Sequence, residues 1–205
     1  MSERITHRAP AGHVTVASEP HRGAPEAKLV RLLRMTSELG YLCSRCGVQH
    51  AELPTSYGTA APDVWDASLE SRADSMLSDD LCVVRDQHFF IKGLIEIPVV
   101  GSDEVFCWGV WVSLSRDSYS RAVDRWEEPG RERERPYFGW LSTELAVYSP
   151  GTTNLATNVH TRPVGERPFV ELEPTDHPLA VEQRTGIGPD RIRAIAAAVR
   201  HGGGR

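Results

Sequence analysis

No run in this sequence reaches the roughly 18 to 20 consecutive apolar residues that a membrane-spanning helix requires, and no charged leader followed by an apolar core marks an export signal. Membrane partners therefore drop out, and a cytoplasmic location is expected. Basic clusters are also scarce. The net charge is -5 over 205 residues, which speaks against a nucleic-acid footprint. A serine-centred elbow, a phosphate loop, a dinucleotide fingerprint and a His-Glu-x-x-His pair are all missing, so the common hydrolase, kinase, dehydrogenase and zinc-protease classes lose support. There is no internal repeat. Cysteine is limited to Cys43, Cys46, Cys82 and Cys107, and without an export signal these are expected as reduced thiols rather than disulfides.

What remains suffices for one domain of ordinary size, since 40% of residues are hydrophobic and can supply a core. Residues 1–36 are expected to be a disordered or weakly ordered tail. Pro10, Pro20 and Pro25 interrupt them, no aromatic occurs, and no apolar period persists. Lys28 to Met35 has a short basic amphipathic pattern, and Met35 is a candidate start of the native product. Residues 37–205 read as a single α+β domain.

Tyr41 to His50 carries the strongest chemical signal. Zinc takes four nitrogen or sulfur ligands in a tetrahedron, and a Cys-x-x-Cys-Gly turn presents two thiolates to one ion. Cys43 and Cys46 are therefore metal candidates in a zinc-knuckle-like turn, with His50 as a third ligand. Cys82 is the preferred fourth, and Cys107, His88 and His177 stand as substitutes. A pair of reduced thiols in a turn is the competing reading. A redox role would need a thioredoxin-like strand before the motif and a helix after it, which the pattern does not show.

Beyond the knuckle, Asp66 or Ser68 is expected to cap a short helix reaching Leu77. Leu81 to Arg85 and His88 to Val99 read as strands joined by a tight turn. The second is apolar on both faces, as in a covered central strand. Val105 to Leu114 alternates, with Trp108 on the main apolar face and Trp111 opposite. Ser115 caps a helix to about Glu127. Strands follow at Tyr137 to Leu141, Leu155 to Thr161 and Phe169 to Leu172. Asp176 caps a short helix, and the final helix begins at Pro189 with Ile192, Ile195, Ala196 and Val199 as its buried stripe. Short turns between strands favour a mainly antiparallel sheet with interspersed helices.

Several side chains are ligand-binding candidates. Trp111 and Trp140 neighbour glycines and are placed to line a stacking groove. His160, Arg162, Arg167, Asp176 and His177 gather at strand ends, where a convergent set would suit a carboxylate or phosphate. Their alternative is structural: caps and ion pairs with Glu171 and Glu173.

The segments CSRCGVQH, LPTSYG, DLCVVRDQHFFIKGLIEIPV, FCWGVWVSLS, YFGWLSTELAVY and NVHTRPVGERPFVELEPTDHPLAVEQRTGI, in this order, resemble the bacterial family called domain of unknown function 2199. The resemblance runs from about Leu42 to His201. It implies one domain there and places Cys43, Cys46, His50, Cys82, His160, Arg162, Arg167, Asp176 and His177 in its motif blocks. It also makes Cys107 a poorer ligand candidate than Cys82.

The expected function is a non-catalytic binding or interaction module with a structural zinc, taking a protein partner or a small anionic ligand. The alternative is a metal- or histidine-dependent enzyme acting on a small anionic substrate. Ligand count separates them, because four protein ligands close a zinc site and three leave a position open for chemistry.

Overall fold

The computed structural model describes residues 40–202. The expectations placed on residues 1–36, including the Lys28 to Met35 pattern and Met35 as a start, lie outside the described residues. In chain order the elements are β1 (Tyr41–Leu42), β2 (Gln49–His50), β3 (Ser56–Gly58), β4 (Met76–Leu77), β5 (Leu81–Val84), β6 (His88–Pro98), β7 (Val105–Leu114), α1 (Arg116–Asp124), β8 (Tyr137–Leu141), β9 (Ala156–His160), β10 (Phe169–Leu172), α2 (Pro178–Thr185) and α3 (Pro189–Gly202). The fold is α+β and its sheet is mainly antiparallel, in agreement with the sequence pattern.

β6 and β7 pair along their whole length, from Phe89 opposite Leu114 to Pro98 opposite Val105. Alternation sends Phe89, Ile91, Ile95 and Ile97 of one strand, with Phe106, Trp108, Val110 and Val112 of the other, into the main core. β7, β8, β9 and β10 continue as antiparallel neighbours. β10 then returns to lie parallel to β6, with Phe169 opposite Leu94, so β6 to β10 close into a five-stranded barrel around that core. Gly93 permits the closure. A Cβ there would stand 2.6 Å from Val170 Cγ2 and 2.9 Å from Pro168 O, the carbonyl that accepts from Leu94 N at 2.8 Å.

The outer face of β6 and β7 is covered as well. Phe90 and Trp111 pack there with Leu69, Cys82 and Val84, and Trp65 leans on the group. Leu69 belongs to a single 3-10 turn, Ala67–Leu69, in place of the helix expected to Leu77. Asp66 Oδ1 caps that turn by accepting from Ser68 N at 2.7 Å, but Leu69 is its one buried residue, and Met76–Leu77 pairs with β5 as an edge strand. A longer helix here would have no apolar stripe to bury.

The helices start largely as read. Ser115 Oγ accepts from Ser118 N at 3.1 Å at the head of α1, which stops at Asp124 rather than Glu127. At α2 the cap is His177, not Asp176: His177 Nδ1 accepts from Leu179 N at 3.2 Å, and Asp176 is exposed. α3 buries Ile192 and Ile195 in the main core and Ala196 and Ala197 against Tyr41 and Cys43. Val199 is exposed, because the last turn of α3 runs past the edge of that core.

Candidate metal centre

β1 and β2 form a short antiparallel hairpin with Tyr41 opposite His50 and Leu42 opposite Gln49. Cys43 N donates to Val48 O at 3.0 Å and Gly47 N donates to Cys43 O at 2.9 Å, which folds the Cys43 to Gly47 segment back on itself. Gly47 has φ +68°, a conformation that costs a side-chain-bearing residue. Gly40, at φ +67°, lies so close to β2 that a Cβ would stand 1.7 Å from His50 O. The hairpin brings His50 Nε2 to 3.5 Å from Cys46 Sγ.

The far end of the described chain supplies a fourth donor. α3 packs Ala196 and Ala197 onto Tyr41 and Cys43, and its next turn carries His201 over the hairpin, with Nε2 at 3.3 Å from Cys43 Sγ. One donor atom from each of Cys43, Cys46, His50 and His201 lies within 4.8 Å of all the others. A tetrahedral zinc with Zn–S of about 2.3 Å and Zn–N of about 2.0 Å holds sulfur and nitrogen ligands about 3.5 Å apart. The two sulfur–nitrogen separations are therefore the edge lengths such an ion needs. Burial pushes the Cys43 thiol up, but the amides of Cys46 and Arg45, the Cys46 thiol and His201 outweigh it and hold the thiol at about 6. The group could hold a metal ion.

The family model for DUF2199, an uncharacterized protein conserved in bacteria, matches residues 42–187. The chain belongs to that family. No curated protein and no solved structure matches it. In this DUF2199 chain Cys43, Cys46 and His50 fall inside the matched span, whereas His201 lies beyond it.

Cys82 is not the fourth member of the group. Alternation along β5 sets it opposite Phe90, so it points into the outer cluster, where burial pushes its thiol up to about 12. Among the substitutes, Cys107 lies half-buried in β7, His88 is exposed at the head of β6, and His177 is occupied as a cap. His201 was missed because a lone histidine in a closing helical turn has no spacing signature. The available signal was the Ala196-Ala197 pair, small enough to let a backbone approach.

Trp111 does not line a groove. It is 0% exposed, its backbone amide donates to Thr143 Oγ1 at 2.8 Å, and Leu69 covers the face it was expected to present. Trp140 is 47% exposed and meets Phe138 edge-to-face at 5.2 Å.

The polar candidates meet different partners. His160 Nε2 is 2.9 Å from Glu171 Oε2, and Arg162 Nη1 donates to Glu96 Oε1 at 2.7 Å. Both also flank the Phe169 ring, at 5.7 and 5.5 Å. Arg167 Nε donates to Asp80 Oδ1 at 2.6 Å, and His177 Nε2 lies 2.9 Å from Pro150 O. Arginine–carboxylate ion pairs, histidine hydrogen bonds and packing on the Phe169 ring account for these contacts.

Proposed function

We propose that this protein is a metal-stapled binding module in which Cys43, Cys46, His50 and His201 hold one structural zinc ion. The observation that carries this reading is the meeting of donors from β2, the turn before it and the end of α3 within 4.8 Å. Four protein ligands fill a tetrahedron and leave no position for water or substrate, which favours a staple over a catalytic metal. The hairpin context also lacks the helix that a redox Cys-x-x-Cys needs after it. The ion would clamp the hairpin onto a helix that already packs against the barrel core, so metal binding would act as folding energy at that edge. The acidic balance of the chain suits a basic protein partner.

Cobalt substitution tests the staple. Replacing the metal with cobalt(II) is expected to give the intense ligand-field bands and sulfur charge-transfer band of a four-coordinate thiolate site, with the ligand-field bands shifted and the ion held more weakly in His201→Ala. A weak spectrum typical of five- or six-coordinate cobalt would mean an open site and would contradict the structural assignment.

A further inference from the structure

Beside the knuckle lies a cavity of about 630 Å³, within the range of small-molecule sites. Its apolar wall includes Tyr57, Trp108, Leu145, Val147 and Val199, and Arg45 stands on its lining. Tyr57 and Trp108 are tilted rings 5.5 Å apart, and the Trp108 indole is fixed because its Nε1 donates to Tyr148 OH at 3.2 Å. The aromatic wall is thus preorganised.

Charge selects the ligand class. The Arg45 guanidinium has no ion-pair partner among the described residues, and Arg200 is near enough to act on the Tyr57 hydroxyl. Glu144 also lines the cavity, but its Oε2 already accepts from Thr152 N at 3.0 Å, Thr153 N at 3.2 Å and Thr153 Oγ1 at 3.0 Å. Arg45 beside an apolar wall suits a single negative charge, and the Glu144 carboxylate disfavours a polyanion.

We infer that this cavity binds a small aromatic or aliphatic monocarboxylate, with Arg45 pairing the carboxylate and the Tyr57 and Trp108 wall taking the apolar body. The inference rests on the metal reading at one point. Arg45 stands between the ligands Cys43 and Cys46, and Val199 and Gly202 flank His201 on the same lining, so a bound ion joins both parts of that wall.

The test is a titration of the full, zinc-loaded chain with 3-phenylpropanoate and with its uncharged amide, read as backbone amide shifts in nitrogen-15 spectra. Saturable shifts at Thr59, Leu145 and Val147 are expected for the acid, with affinity about tenfold weaker for the amide. Arg45→Gln, on an exposed turn, should bring the acid down to the amide's affinity while zinc content stays unchanged. Zinc-loaded protein without saturable shifts at those residues overturns the cavity and leaves the staple standing. Equal affinity for acid and amide overturns the role of Arg45. Undiminished binding in folded protein that contains no zinc overturns the link to the metal, so the two readings fail separately.

Discussion

Cys43 and His201 are separated by 158 positions in the chain and by 3.3 Å between Sγ and Nε2. That contact ties the knuckle at one end of the described chain to the helix at the other, and the helix in turn is anchored in the barrel core through Ile192 and Ile195. A metal held there would lock two chain ends that otherwise meet through the small patch of Tyr41, Cys43, Ala196 and Ala197.

The backbone at Gly40 should matter to the metal although Gly40 offers no donor. Gly40→Ala would force a Cβ against His50 O, at 1.7 Å in the present geometry, and displace β2 with its histidine. Zinc affinity is expected to fall about 10- to 100-fold, the range seen when groups supporting a metal ligand are lost. Competition with a chromophoric chelator measures it, and an unchanged affinity would show that the hairpin does not position His50.

Cys82 and Cys46 should differ in chemistry. With its thiol pushed up to about 12 by burial, Cys82 carries almost no thiolate at pH 8 and should alkylate at least about 1,000-fold more slowly than an ordinary exposed thiol. In metal-free folded protein, Cys46 is expected to react with iodoacetamide first and Cys82 only after denaturation, as peptide mass spectrometry would show.

The same shift has a consequence for stability against pH. The Cys82 pKa is raised on folding, so its contribution is intact below the unfolded value of about 8.5 and is lost as pH rises toward 12. Wild type should lose stability relative to Cys82→Ala across that window, measured as the difference in urea midpoints. A constant difference would mean that Cys82 is solvated.

Two tryptophans on the barrel wall should behave oppositely. Trp111→Ala empties a fully buried site and should cost about 3–5 kcal/mol. Trp140→Ala removes an exposed ring whose main contact is Phe138, and should cost no more than about 1.5 kcal/mol. Chemical denaturation of both variants checks the ranking; Trp140 lies opposite Ser113 and so shares the outer face with Trp111, and a larger loss for Trp140 would mean that the cover over that face lies on β8 rather than on β6 and β7.

These contrasts show how much of the molecule was readable in advance. The alternation in β6 and β7 was enough to assign Trp108 to the main core and Phe90 to a second face, and Tyr137–Leu141 and Phe169–Leu172 were found as strands from local pattern alone. Barrel closure was not, because it depends on one parallel pairing across Gly93, and a glycine's role there is visible only when Val170 and Pro168 are beside it. Trp111 was misplaced for a related reason. Alternation tells which face a residue occupies, not whether a distant 3-10 turn covers that face. In the candidate metal group, Cys43, Cys46 and His50 are local and their spacing is legible in the sequence. His201 is set by tertiary packing of α3 and carries no local spacing signature, whereas Cys82, the fourth ligand that residue type suggests, is pointed elsewhere by its strand register.

Zinc content per chain, measured by mass spectrometry of metals on wild type, His201→Ala and Cys82→Ala, decides whether His201 completes a metal site. About one zinc is expected in wild type and in folded Cys82→Ala, and loss of tightly held zinc in His201→Ala. Wild type without bound metal after zinc reconstitution, or His201→Ala with undiminished zinc affinity, would contradict that expectation.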